Sequence, residues 1–196
     1  YENATVEATK YLEPFEWFHI TGTYDGETAR LYINGKLIKE DRNPSGFLSQ
    51  IKRSLCIGMN DFEIGKTYAY PVNGTIDEFR IYNRSLSSSE IKQQYERQKN
   101  GLRNNITKDL IAYFPFDENE GFDAEDFSLY KNLAILKNIG IPEWQNIEGF
   151  EGVLVFDPSK KTRIITGPVI EGKEVSYGGW FKFESFNSSV GYIDSV

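Results

Sequence analysis

Apolar and polar residues alternate in short runs along this chain, and the runs end at Gly, Asn, Asp or Pro. Helical spacing of apolar residues is nearly absent. The pattern predicts strands joined by tight turns, as in an all-β sandwich or barrel. Residues 18–24 (FHITGTY) read as a strand, Asp25-Gly26 as a turn and residues 28–33 as a second strand. Asn34-Gly35 follows, a strong two-residue hairpin signal, because both positions tolerate positive φ. Residues 36–40 return, so these strands form a meander. Further strands are expected at residues 55–58, 74–82, 109–117, 133–136, 152–156, 162–166, 175–183 and 191–196.

Period-two alternation over residues 74–82 places Asp77, Phe79 and Ile81 on one face and Glu78 and Arg80 on the other. The charged pair belongs in water, so Asp77 is expected inside, beside Phe79 and Ile81. A buried carboxylate there needs hydrogen bonds or a cation. One helix is predicted. Ser87 and Glu90 form a capping box, Ile91 and Tyr95 share a face, and Gly101 is a stop signal. Residues 98–108 are polar and read as a linker between an N-terminal unit, 1–97, and a C-terminal unit, 109–196.

The chain has 196 residues, a length that suits one ordinary domain or two small ones. No run approaches the ~20 apolar residues of a membrane span. Lys plus Arg total 22 against 29 Asp plus Glu, a net charge of −7 that repels phosphate backbones and argues against nucleic acid as partner. Cys56 is the one cysteine and sits in an apolar run, so it forms no intrachain disulfide and reads as a small buried hydrophobe. His19 is also alone. Acyl transfer by a Ser–His or Cys–His pair would have to use it, yet its run, Trp17-Phe18-His19-Ile20, reads as a buried strand.

Three stretches in order carry a resemblance. They are residues 17–26 (WFHITGTYDG), residues 30–35 (RLYING) and residues 73–87 (NGTIDEFRIYNRSLS), with Glu90-Ile91 behind. Together they resemble the second half of a laminin-G-like domain of the concanavalin A-like lectin/glucanase superfamily. Residues 110–118 (LIAYFPFDE), Gly121, Asp126, residues 149–157 (GFEGVLVFD) and residues 175–182 (VSYGGWFK) resemble the first half of such a domain. Asp157-Pro158 and Asp126-Phe127-Ser128-Leu129 depart from the family's usual glycine-containing turns. The resemblance implies an antiparallel jelly-roll β-sandwich with one short helix. Back half precedes front half, as at the junction of two tandem repeats. Each sheet of a jelly roll draws strands from both halves, so the two halves are expected to close into one circularly permuted sandwich. In it, residues 110–116 would lie antiparallel beside residues 75–82.

The resemblance brings candidate chemistry with it. Glucanases of the superfamily use paired carboxylates, but Asp77-Glu78 and Asp117-Glu118 are sequence neighbours, whose side chains point to opposite faces of a regular strand. Glu118 and Glu120 follow the strand in a loop. No catalytic residue is assigned. A structural Ca2+ is implied near the first and last strands, with Asp77, Asp117 and Asp126 as its hard oxygen ligands; hydrogen bonds to loop amides are the other solution for the same carboxylates. Gly74, Asn34, Gly35, Trp17, Trp180 and Asp77 are expected to be structural. Tyr24, Tyr32 and Trp180 suit sugar stacking but fit sheet packing better. Asn3, Asn73, Asn83, Asn105 and Asn187 begin glycosylation sequons. The expected protein is a non-catalytic lectin-like or adhesion module at the cell surface or outside the cell. Its expected partners are a glycan or an extracellular protein, with further laminin-G-like repeats beside it. An ancillary carbohydrate-binding module attached to a secreted enzyme and a purely structural repeat are the alternatives.

Overall fold

Asn34 and Gly35 take φ values of 50° and 74° in the computed structural model, which describes residues 11–42, 55–59, 71–137, 140–147, 150–167 and 173–185. Their turn joins β2 (Ala29–Ile33) to β3 (Lys36–Asp41), and β1 (Trp17–Tyr24) completes the meander. Asn34 Oδ1 accepts the backbone N–H of His19 at 2.9 Å and ties the hairpin to β1. Then come β4 (Leu55–Ile57), β5 (Gly74–Tyr82), α1 (Ser88–Lys99), β6 (Leu110–Phe114), β7 (Asp123–Ala124) and β8 (Ala134–Lys137). β9 (Glu143–Ile147), β10 (Phe150–Phe156), β11 (Arg163–Thr166) and β12 (Val175–Phe183) complete the order. The strand expected at 191–196 lies outside the described residues, and so do Asn3 and Asn187.

The larger sheet runs β3-β2-β1-β12-β5-β10-β9, and β6 also pairs with β5. The smaller runs β4-β11-β8-β7. All pairs are antiparallel, which is the architecture of a concanavalin A-like β-sandwich. Strands from residues 1–97 and 109–196 interleave. β12 sits between β1 and β5, while β11 sits between β4 and β8. β6 lies antiparallel beside β5, with Phe79 opposite Phe114 and Ile81 opposite Ala112. Ile76, Phe79, Ile81, Phe114, Leu154 and Phe156 from the larger sheet meet Ile57, Leu136 and Ile164 from the smaller in one core. Burying such side chains contributes about 1.5–3 kcal/mol each.

Helix α1 covers the other face of the larger sheet. Ser87 Oγ accepts the Glu90 backbone N–H, and the Glu90 carboxylate accepts the Ser87 N–H at 2.9 Å. Ile91 packs with Tyr32, Tyr82 and Leu86. Gly35 permits this approach, because a Cβ there would lie 3.2 Å from the Lys92 Cα. Residues 98–108 do not hang free. Asn104 Nδ2 donates to the Tyr82 hydroxyl at 3.2 Å, and that hydroxyl donates to the Ile106 carbonyl at 3.1 Å.

The alternation expected in β5 is broken by one residue. Asp77 faces Trp180 across the β5–β12 ladder and Arg80 faces Gly178, so Glu78 and Phe79 together oppose Gly179. Glu78 is the extra residue of a β-bulge, with φ 55°. An extra residue shifts the phase of alternation and sends what precedes it to the other face. Ile76, Phe79 and Ile81 therefore share the core face, while Asp77, Arg80 and Tyr82 lie under α1. This corrects the expectation that Asp77 sits beside Phe79 and Ile81. It also corrects the placing of Glu78 and Arg80 in water, because Arg80 is buried and the Glu78 side chain is only 16% exposed.

The bulge needs the bare backbone opposite it. A Cβ on Gly179 would fall 2.7 Å from the Asp77 carbonyl oxygen, and one on Gly178 would fall 2.4 Å from the Ile20 carbonyl oxygen. Gly179→Ala should therefore cost about 1–3 kcal/mol and lower Tm by roughly 3–10 °C. Gly167→Ala, where nothing lies within 4 Å of the new Cβ, should leave Tm unchanged in the same calorimetric scan. Equal melting of the two variants would contradict this reading of the bulge.

Candidate functional site: the covered sheet face and the β7–β8 loop

Two places gather the polar and aromatic side chains that sequence reasoning singled out. The first is the sheet face beneath α1. The Trp180 ring lies 5.5 Å from His19, edge to face, and 5.9 Å from Tyr95 of α1. Arg80 stacks its guanidinium 3.8 Å from the centre of the Tyr113 ring and forms an ion pair with Glu78. Glu78 also accepts the Tyr113 hydroxyl at 2.6 Å and Gln98 Nε2 of α1 at 2.6 Å. Gln94 Nε2 donates to the Tyr82 hydroxyl at 2.8 Å, and the Tyr32 hydroxyl meets Ser88 Oγ at 2.9 Å. The Tyr95 ring contact and the hydrogen bonds of Gln98, Gln94 and Ser88 fasten the helix to the sheet. Arg80, Tyr113 and Gln98 hold Glu78 in its left-handed conformation, which a residue with a Cβ rarely adopts.

Burial under the helix shifts the titrating groups. Asp77 is pushed up to about 9, first by desolvation and then by the neighbouring Glu78 carboxylate, with Asp117 adding to the effect. Its Oδ1 has no hydrogen-bond partner among the described residues. His19 is pushed down to about 3 by desolvation, with Arg80 adding to it, so it sits neutral between Trp180 and Tyr95. The Tyr113 hydroxyl is raised by burial.

The bulge brings Asp77 and Glu78 toward the same side, contrary to the expectation for adjacent residues of a regular strand. A protonated acid beside a second carboxylate is the arrangement that glycoside hydrolysis uses. Here both oxygens of Glu78 are engaged, and Asp77 and Arg80 are 3% and 4% exposed beneath the helix. In this closed arrangement the pair holds the helix rather than meeting a substrate.

The second place is the loop between β7 and β8, residues 125–133. Asp126 is buried at its base and acts as a hub. Its Oδ1 accepts the backbone N–H groups of Tyr113 and Ser128, each at 2.8 Å. Its Oδ2 accepts Ser128 Oγ at 2.8 Å, the Asn132 N–H at 2.9 Å and Asn132 Nδ2 at 2.5 Å. Asn132 Nδ2 also reaches the Ile111 carbonyl at 2.8 Å and ties the loop to β6. The Phe127 ring rests 6.0 Å from that of Tyr113, with Lys131 Nζ 5.2 Å above it. Leu129 and Tyr130 stand 98% and 66% exposed at the tip, with Leu133 exposed beside them.

The Ca2+ expected from the resemblance does not fit these residues. The five hydrogen bonds to Asp126 occupy its carboxylate, Asp117 takes Arg103 Nη2 at 3.0 Å, and Asp77 lies beneath the helix. Among the described residues no three His, Cys, Asp or Glu side chains gather as a metal site. Of the other candidates, Trp17 is half-buried with Lys182 Nζ 5.4 Å above its ring. A Cβ on Gly74 would lie 2.2 Å from the Lys182 carbonyl oxygen. Asn73 Nδ2 donates to Ser185 Oγ at 2.9 Å, whereas Asn83 and Asn105 are exposed. Cys56 is half-buried in β4. Sequence reasoning missed the loop tip, although residues 125–133 already carry exposed-type charges interleaved with Phe127, Leu129, Tyr130 and Leu133.

A laminin-G-type family model, described as the concanavalin A-like lectin/glucanases superfamily, matches residues 1–92. Strand pairing joins β6, β10 and β12 to β1 and β5 of that stretch in one sheet. No curated protein and no solved structure matches the chain. Among the described residues no helix is long and apolar enough to cross a membrane.

The raised Asp77 pKa has a definite sign. Its folded value of about 9 lies above its ordinary value of 3.8, so the folded state holds the proton longer than the unfolded one. The stability it contributes is complete below about pH 4 and is lost as pH rises toward 9. Asp77→Asn, which keeps the shape without the charge, should raise Tm by several degrees at pH 8 and change it little at pH 4. Thermal melts of both proteins at the two pH values check this, and a Tm difference independent of pH would contradict the assignment.

Proposed function

We propose that this protein is a non-catalytic recognition module, lectin-like or adhesive, acting at the cell surface or outside the cell. The observation that carries the reading is the division of the molecule into a closed face and a presented loop. Helix α1 occupies the sheet face on which an extended ligand would lie, and burial there removes Trp180, Tyr82 and Tyr32 from solvent. Recognition then falls to the rim. The β7–β8 loop offers apolar side chains held in place before any ligand arrives, which lowers the entropy lost on binding. Laminin-G-like domains bind glycans or proteins and are generally non-catalytic and extracellular, which agrees with this reading.

The test is a binding screen of the whole chain against arrayed glycans and arrayed extracellular proteins, repeated with Phe127→Ser/Tyr130→Ser. Binding by the parent should fall at least tenfold in the double variant, while the melt remains a single cooperative transition, since Tyr130 is 66% exposed and Phe127 gives up its contacts with Tyr113 and Lys131. Hydrolysis of an arrayed glycan by the parent, or binding that survives the double variant, would contradict the reading.

A further inference from the structure

We infer that the β7–β8 loop docks a polypeptide partner in which Lys or Arg side chains flank aliphatic or aromatic ones. The inference rests on the recognition reading above and names the chemical class of its ligand. Residues 117–133 contain six acidic side chains (Asp117, Glu118, Glu120, Asp123, Glu125 and Asp126) and one basic, Lys131. One minus six gives −5, so this short segment carries most of the chain's net charge of −7. Asp117 is paired with Arg103 at 3.0 Å and Lys131 pairs back onto Glu125 at 3.7 Å, which leaves Glu120 and Asp123 as exposed carboxylates together with Glu125.

Within that acidic field stands an apolar tip. Leu129 is 98% exposed and Leu133 is exposed beside it, while the five hydrogen bonds to Asp126 keep the loop from folding either side chain inward. An apolar side chain held outward gains free energy only when another surface covers it. A sugar ring stacks on flat aromatic faces; Phe127 and Tyr130 offer such faces, but Leu129 and Leu133 present none and would stay uncovered under a sugar. A second copy of this chain would bring the same −5 segment against the first, and like charges oppose that pairing. Nucleic acid and anionic membrane surfaces are disfavoured by the same field. A basic, partly apolar peptide satisfies both features, since its apolar residues cover the tip while its cations meet Glu120, Asp123 and Glu125.

A phage-displayed library of random 12-residue peptides, selected against the immobilised whole chain, supplies the probe. The enriched peptides should combine Lys or Arg with Leu, Phe, Trp or Tyr. Synthesised and labelled, they should bind the parent in fluorescence anisotropy and bind Leu129→Asp at least tenfold more weakly. Affinity should also fall as salt rises from 50 to 300 mM. Leu129→Asp replaces a fully solvated side chain, so its Tm should match the parent and separate lost binding from lost fold. Enriched peptides that are acidic or wholly polar, or that bind Leu129→Asp as tightly as the parent, would overturn the inference. A concentration-dependent dimer of the parent that Leu129→Asp abolishes would also overturn it in favour of a second copy. Arrayed-glycan binding that Leu129→Asp abolishes, without any peptide binding, would overturn the partner class and leave the recognition reading standing. Failure of the parent on every array and in the selection would overturn both.

Discussion

Glu78 is one residue more than the ladder between β5 and β12 can accommodate, and the larger sheet is arranged around that excess. The bulge keeps Ile76, Phe79 and Ile81 together on the core face although their spacing is not period two. It turns Asp77, Arg80 and Tyr82 to the opposite face and leaves the Glu78 backbone in a conformation that needs outside support. Support comes from Arg80, Tyr113 and Gln98, three groups on β5, β6 and α1. The same residue therefore sets the strand's phase, joins the N-terminal and C-terminal halves and fastens the helix. The glycine pair at 178–179 is the matching concession on β12.

The charged layer under α1 follows from this arrangement. A helix whose fully buried residues are Ile91 and Gln94 gains little from apolar burial alone. Its attachment relies on hydrogen bonds and ring contacts that are modest singly and stronger in a protected setting. The cost appears in Asp77, which is driven to hold its proton, and in His19, which is driven to give one up. Both shifts come from desolvation first, so both depend on the helix staying in place. With that face closed, the β7–β8 loop becomes the presented surface. The Asp126 hub fixes its shape as Glu78 fixes that of the sheet.

Strand-and-turn chemistry made much of the fold legible from the residues alone. Asn34-Gly35, the Ser87–Glu90 capping box and the runs at 74–82 and 175–183 each have a local physical signature, and each forms the element it predicts. β9 escaped because its sequence, Glu143–Ile147, has only Trp144 and Ile147 as apolar marks. β7 is two residues long and has no signature. The bulge was illegible for a different reason. Nothing in residues 74–82 marks an extra residue, because Glu78 is not glycine, and the partner glycines lie a hundred residues away. Alternation predicts a buried Asp77, and Asp77 is buried, but on the opposite face from Phe79 and Ile81. Asp126 was legible as a buried aspartate with two possible solutions, and the donors that settle its geometry, Ser128 and Asn132, come from the loop itself.

The claim at the centre of this account is that the bulge at Glu78 seals Asp77 beneath α1. The most direct measurement is the pH titration of the Asp77 carboxyl carbon by 13C NMR in the folded protein. The account predicts a midpoint near the elevated value of about 9, far above that of a solvated aspartate. A midpoint near 4 would contradict it, because it would place Asp77 in water.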